Sequence, residues 1–237
     1  MKKFIIYTPH KCGSIIVRKM LREIYKIPGF VSDKEFVGES DTSPVKLLHT
    51  RHVQLESPPG NIDINKDTII FIPRNPAGLA ISMYYSFGYS HRCPPTHDKK
   101  RFENYQRKIQ KMGLENYVLK NIKWITRNIR LGMETPVHDR TVLPYELMVE
   151  NFEQFLTKLL YALDMSSRFS EIYPMFEKQF LKISDLSQSI EEGRIKVHKR
   201  TTDIHEWKTK LSEEVLNELK KNYPFVYEYD KMLANAL

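Results

Sequence analysis

Apolar residues arrive along this chain in short runs that alternate between two periods. Phe4 to Thr8 is a nearly continuous apolar run of strand length closed by Pro9, the pattern of a buried strand. Ser14 to Tyr25 changes to helical spacing, with Ile15, Ile16, Met20, Leu21 and Ile24 recurring along a helix. Val45 to His49 and Thr68 to Ile72 predict a second and a third strand, the latter again closed by a proline. Pro76 to Tyr85 predicts a helix with proline in its first turn. Asn116 to Leu131 predicts another helix and Thr141 to Leu143 a short strand. Glu150 to Leu163 predicts a strongly amphipathic helix that turns Phe152, Phe155, Leu156, Leu159, Leu160 and Leu163 inward. Ser212 begins a late helix, with Glu213 and Glu214 in the first turn where the helix dipole favours them.

Polar stretches at Gly29 to Pro44, Ser57 to Asp67 and Ser90 to Asp98 separate these elements, and no internal repeat or low-complexity tract is present. The first stretch has the length of a loop or mobile insertion. Strands that alternate with helices imply a parallel sheet with helices on both faces. Ligands of such sheets sit at the carboxyl ends of the strands. That rule puts Pro9 to Ser14, Thr50 to His52 and Pro73 to Ser82 on one rim.

Composition narrows the class without choosing a function. The 237 residues suit one domain with a sizeable core. No window has the apolar length of a membrane span, so no membrane insertion is expected. Phe4 to Tyr7, after Met1-Lys2-Lys3, is too short for a signal-peptide core, and the expected location is the cytoplasm. Cys12 and Cys93 are the only cysteines, too few for a disulfide framework or a metal site. Lys and Arg exceed Asp and Glu by 37 − 29 = 8, which favours anionic partners such as nucleotides or sulfated sugars.

Two segments carry candidate chemistry. Thr8-Pro9-His10-Lys11-Cys12-Gly13-Ser14 follows a strand and opens a helix. Backbone N–H groups and the dipole at such a junction favour an anion. Gly13 permits close backbone approach, Ser14 can cap the helix and donate to a phosphate oxygen, and Lys11 supplies a cation. It is not a Walker A loop, because the lysine precedes the glycine. The second segment is Phe71-Ile72-Pro73-Arg74-Asn75-Pro76, continuing to Ser82-Met83-Tyr84-Tyr85. Arg74 offers a fork of donors matched to phosphate, and Ser82 adds a hydroxyl two helical turns on.

The order Lys-x-Gly-Ser after a strand and a proline resembles the 5′-phosphosulfate loop of sulfotransferases that use 3′-phosphoadenosine 5′-phosphosulfate (PAPS). The Arg74-Asn75-Pro76 segment with Ser82 and Tyr84-Tyr85 looks like the 3′-phosphate segment of the same family. Val197 to Lys208 is similar to the family's closing loop, and aligning Trp207 puts Arg200 at its arginine, with Lys199 beside it. Val142-Leu143-Pro144-Tyr145-Glu146 resembles a strand end whose tyrosine contacts adenine. The sequence departs from the family pattern at His10, inserted between proline and lysine, at Ile15 for a second hydroxyl, at Ile16 for tryptophan, and at Thr201-Thr202 and His205 for Lys-Gly and a second glycine.

The resemblance runs in family order from Ile5 to about Leu219 and implies one sulfotransferase domain over residues 1–237. The implied fold is α/β, a three-layer P-loop-like arrangement with a central, mostly parallel sheet and helices on both faces. The implied activity is transfer of a sulfuryl group from PAPS to a hydroxyl or amine of a small-molecule, carbohydrate or lipid acceptor, without metal and without nucleic acid. Lys11, Cys12, Gly13, Ser14 and Ile15 would surround the phosphosulfate, with Arg74, Ser82, Lys199, Arg200 and Tyr145 on the rest of the nucleotide. Lys11 would neutralise the leaving bridge oxygen, and a histidine after the second strand would take the acceptor proton. Matching the threonine of the family's Lys-Thr-His context puts Arg51 at the base position, whereas matching the distance to Arg74 favours His52, which is preferred here with His49 second. Two other readings stay open: a catalytically inactive nucleotide- or polyanion-binding relative, and another P-loop-like nucleotide-dependent transferase. A kinase or hydrolase would need a Walker lysine and a strand-end aspartate, and neither is present. Gly29 to Pro44 and Ser90 to Lys111 are the segments expected to shape the acceptor pocket.

Overall fold

The computed structural model describes residues 3–25, 45–50, 62–91, 93, 97–184, 190–191, 194–195 and 203–234. In chain order the elements begin with β1 (Phe4–Pro9), α1 (Ser14–Tyr25), β2 (Val45–Thr50), β3 (Thr68–Phe71), α2 (Pro76–Tyr85) and a π-helical turn (Ser86–Ser90). Next come α3 (Lys99–Met112), α4 (Leu114–Glu134), β4 (Asp139–Val142), α5 (Tyr145–Glu150), α6 (Phe152–Ala162) and a 3-10 turn (Ser166–Arg168). The chain continues with α7 (Phe169–Ser184), the short strands β5 (Ile190–Glu191) and β6 (Arg194–Ile195), α8 (Glu206–Lys210), α9 (Glu213–Asn222) and α10 (Phe225–Ala234). They gather into two compact units, each discontinuous in sequence. One holds Met1–Arg74, Arg127–Phe180 and Leu237, and the other Asn75–Thr126 and Leu181–Ala236.

The first unit contains a parallel sheet in the order β2-β1-β3-β4. Every residue of β1 and β3 is buried, as expected of parallel strands covered on both sides. Side chains alternate across the sheet. Phe4 and Ile6 of β1, Leu47 of β2 and Ile70 of β3 join Val17, Met20, Leu21 and Ile24 of α1 and Phe155, Leu156, Leu159 and Leu160 of α6. Ile5, Tyr7, Ile69 and Phe71 have the opposite parity. Phe71 lies against Gly132 of α4, so close that a Cβ there would stand 2.2 Å from the ring. Helices therefore cover both faces, as the strand–helix alternation predicts. Burial of each leucine of α6 contributes about 1.5–3 kcal/mol.

The register produces one further feature. Tyr7 opposes Phe71, and Phe71 opposes Val142. Pro9, Pro73 and Pro144 each follow these partners by two residues and stand at one level across three neighbouring strands. Proline has no N–H to donate, so the ladder cannot propagate evenly beyond this row. Its last bonds are Ile72 N to Tyr7 O at 2.9 Å, Leu143 N to Phe71 O at 2.9 Å and Tyr145 N to Pro73 O at 2.8 Å.

Several elements differ from the pattern-based expectation. The amphipathic helix expected from Glu150 begins at Phe152, because Asn151 Oδ1 accepts from Gln154 N at 3.0 Å and caps it. The same residue ends α5, its N–H donating to Leu147 O. Helix α3 occupies a stretch read as part of the polar acceptor side. Asp98 caps its start and Gly113, at φ 77, ends it. The late helix starts as expected, with Ser212 as its cap.

In the second unit Asn75 caps α2. Its Oδ1 accepts from Ala77 N at 3.0 Å and Gly78 N at 3.4 Å, and Pro76 opens the helix. The π-helical turn after α2 is held to α3 by Gln110 Nε2 donating to Gly88 O at 2.6 Å and Gln106 Nε2 donating to His91 O at 3.1 Å. Among the described residues no helix is long and apolar enough to cross a membrane.

Candidate functional site

Each chain that leaves the proline row delivers one side chain to the same place. Beyond Pro9 comes Lys11, directly after Pro73 comes Arg74, and directly after Pro144 comes Tyr145. Arg74 Nη1 donates to Lys11 O at 3.3 Å. The Arg74 guanidinium carbon lies 4.5 Å from the centre of the Tyr145 ring, a cation–π contact. Arg74 is 7% exposed, so its fork is fixed among these neighbours.

The loop that carries Lys11 has unusual backbone geometry. Lys11 has φ 70 and Gly13 has φ 80. A left-handed lysine is strained by about 1 kcal/mol or more, and such strain is found where surrounding structure enforces a function. Alternation into the left-handed region gathers successive N–H groups into an anion-binding concavity. At φ 80 Gly13 holds a backbone that a side chain would strain, and a Cβ there would also crowd Met148 Cε at 2.2 Å and Tyr145 Cδ2 at 3.3 Å. Its carbonyl accepts from Ile16 N at 2.9 Å and Val17 N at 3.1 Å. Gly13 therefore takes the capping position that the pattern gives to Ser14, and Ser14 is the first residue of α1.

The electrostatics are those of a cation cluster with one carboxylate nearby. Burial, then the adjacent Arg74 charge, lower the Lys11 ammonium from 10.5 to about 8. Burial first, and then Glu146, push the Cys12 thiol up against the pull of Arg74 and Lys11. Cys12 and Glu146 are 0% and 1% exposed; the Cys12 thiol stays protonated, and bulk water screens the Glu146 side chain little. Glu146 and Met148 are contributors that the motif reading does not single out. The Tyr145-Glu146 pair in the sequence is the one signal for the first, and nothing local marks the second.

The predicted site residues divide clearly. Lys11, Cys12, Gly13, Ser14, Arg74 and Tyr145 share this region of the first unit. Tyr145 stands at the first position of α5 and not at a strand end. Ile15, where the family has a second hydroxyl, is 64% exposed on the first turn of α1. Ser82 is half-buried on α2 in the second unit. The His49 backbone lies in β2 opposite Thr8. His52, Lys199 and Arg200 lie outside the described residues, as do Gly29 to Pro44. Among the described residues no three His, Cys, Asp or Glu side chains gather as a metal site.

Comparison with known proteins places this geometry. No curated protein matches the sequence. Among solved structures, mouse sulfotransferase SULT7A1 complexed with PAP matches with a TM-score of 0.52 and 15% identity, over 97% of this chain and 88% of that one. At that identity the likeness establishes the fold, a P-loop-like α/β architecture. A family profile described as a sulfotransferase domain matches residues 1–232. The chain in which this loop and Arg74 meet at the carboxyl edge of a parallel sheet belongs to the sulfotransferases.

Proposed function

We propose that this chain transfers a sulfuryl group from PAPS to a hydroxyl or amine of a small-molecule, carbohydrate or lipid acceptor. The observation that carries this reading is the meeting of Lys11 and Arg74 at the proline row. Burial first, and then the Arg74 charge, make the Lys11 ammonium costly to keep charged, and a bound anion would offset that cost. The left-handed backbone at Lys11 and Gly13 suits a loop that turns its N–H groups toward a phosphosulfate. The Arg74 fork suits phosphate, and the Tyr145 ring offers a flat apolar face to adenine.

When bound, PAPS supplies an activated sulfuryl group. Transfer resembles phosphoryl transfer in depending on alignment and on charge stabilisation. The acceptor oxygen or nitrogen bonds to sulfur as the bond from sulfur to the bridging phosphate oxygen breaks, and 3′,5′-adenosine bisphosphate leaves. Lys11 stabilises negative charge on the leaving oxygen. The acceptor proton passes to a histidine, His52 in the first place and His49 in the second. Lys199 and Arg200 complete the phosphate contacts with Arg74 and Ser82. No step calls for a metal, and the expected setting is the cytoplasm.

Calorimetric titration with 3′,5′-adenosine bisphosphate, ADP and ATP tests this reading on wild type and Arg74→Ala. Selective binding of the bisphosphate is expected, weakened at least about tenfold by Arg74→Ala, as for loss of a charge-assisted phosphate contact. Equal binding of all three nucleotides, or indifference to Arg74→Ala, would replace the transferase with a general polyanion binder.

A further inference from the structure

Asp230 on α10 receives contacts from two stretches far apart in sequence. Asn75 Nδ2 donates to its Oδ1 at 3.3 Å. Lys208 Nζ forms an ion pair with its Oδ2. His205 Nδ1 stands 3.6 Å from the same oxygen. The Asp230 side chain is 13% exposed, while those of Lys208 and His205 are 45% and 46% exposed. An ionised carboxylate has about four acceptor positions and can serve all three groups.

The first stretch is the turn after Arg74. The Asn75 amide is fully buried and uses both ends. Its oxygen fixes Ala77 N and Gly78 N, while its nitrogen also donates to Val226 O at 3.0 Å. The second stretch is the start of α8. Asp203 Oδ1 accepts from His205 N at 2.8 Å and shapes the turn into the helix. Trp207, 0% exposed, meets Tyr227 of α10 edge-on with ring centres 5.2 Å apart. Lys208 lies 5.3 Å from the centre of the Trp207 ring and still reaches Asp230.

The carboxylate charge is what Lys208 requires. Asn75 needs only an acceptor oxygen, which a neutral amide would supply equally well. We propose that Asp230 is a positioning residue that ties the turn after Arg74 to the start of α8 and so holds that turn in the form that recognition of a nucleotide 3′-phosphate requires. The proposal rests on the donor reading above, since the first stretch continues Arg74.

Asp230→Asn keeps an oxygen for Asn75 and removes the charge, and Asp230→Glu restores the charge on a longer arm. Hydrogen exchange on the ligand-free protein reads the coupling directly. In Asp230→Asn the amides of Ala77, Gly78 and Lys208 should all exchange faster, and Asp230→Glu should return them toward wild type. A response confined to Lys208, with Ala77 and Gly78 at wild-type rates, overturns the coupling. Calorimetry with 3′,5′-adenosine bisphosphate and with 5′-AMP reads the consequence. Asp230→Asn should weaken the bisphosphate about five- to tenfold and AMP by less than about twofold, within the range of coupling energies for groups in contact. Equal losses for both nucleotides would mark general destabilisation and overturn the positioning role. A wild type that does not prefer the bisphosphate to AMP would instead overturn the donor reading, and the exchange result would still decide the coupling.

Discussion

Lys11 combines a left-handed backbone, partial burial and an arginine neighbour, and each has a measurable effect. Its ammonium falls from 10.5 to about 8, first through burial and then through Arg74. Below about pH 8 both folded and unfolded chains carry the proton, and the folded state bears the whole cost of the charge. Between about 8 and 10.5 the folded state sheds the proton first, so this residue's contribution to stability rises with pH. An anion has the opposite preference, because it favours the charged lysine. Binding of 3′,5′-adenosine bisphosphate should therefore take up protons near pH 8 and weaken as pH rises through that value. Calorimetry in buffers of different ionisation enthalpy would detect the uptake, and Lys11→Arg should bind with a nearly flat profile. A wild-type affinity constant from pH 7 to 9.5 would show that Lys11 is not beside the bound anion.

At the level of elements, the packing of α4 on β3 depends on one missing side chain. Alanine at position 132 would gain about 1 kcal/mol in helix propensity over glycine. Yet its Cβ would stand 2.2 to 2.6 Å from three atoms of the Phe71 ring, and Phe71 is 0% exposed with nowhere to turn. Overpacking of this kind costs about 1–3 kcal/mol, so Gly132→Ala should lower the melting temperature by several degrees. The same substitution in a Phe71→Leu background should be neutral or stabilising, and a plain rise in Tm for Gly132→Ala alone would refute the tight contact. These elements differ in how legible they are in sequence. Strands β1 and β3 declare themselves, because parallel strands buried on both faces read as unbroken apolar runs. Helix α3 is harder to read, because its apolar positions Phe102, Tyr105, Ile109 and Met112 are set among charged and polar residues and only Ile109 of its fourteen residues is buried. The loop after β1 and the Arg74 turn are legible as phosphate segments, since strand–loop–helix order and residue type are local. The contact of Arg74 with Tyr145 joins residues 71 positions apart, 145 − 74, and only the parallel register brings them together. The Asn75–Asp230 bond is equally hidden, spanning 155 positions.

The whole molecule carries a net charge of +8, and a nucleotide bisphosphate is strongly anionic. Such a field acts mainly on encounter, with pairs beyond the Debye length of about 8 Å at physiological salt largely screened. Raising the salt should slow association of the bisphosphate while leaving dissociation nearly unchanged, a split that stopped-flow measurement resolves. Dissociation rates that carried most of the salt effect would locate the electrostatics in the site alone. The profile covers both compact units, 1–232, and the chain passes from one unit to the other between Arg74 and Asn75. The residue proposed to hold phosphate and the residue that caps the following helix are thus neighbours in sequence with different structural allegiances.

Pro9, Pro73 and Pro144 stand at one level across three strands, and this gives the sheet a datum line. Strand length sets the height of a site in most parallel sheets, and a strand that gains or loses a rung shifts everything beyond it. A proline at the end of β1, and one two residues past the end of β3 and of β4, limits that freedom, because each lacks a donor for a further rung. Heights in the loops are then counted in residues from a common origin: two to Lys11, one to Arg74, one to Tyr145. The extra residue between Pro9 and Lys11 can in this way alter the reach of the lysine without disturbing the sheet beneath it, and the tolerance of the scaffold to change at its rim follows from the rigidity of that line.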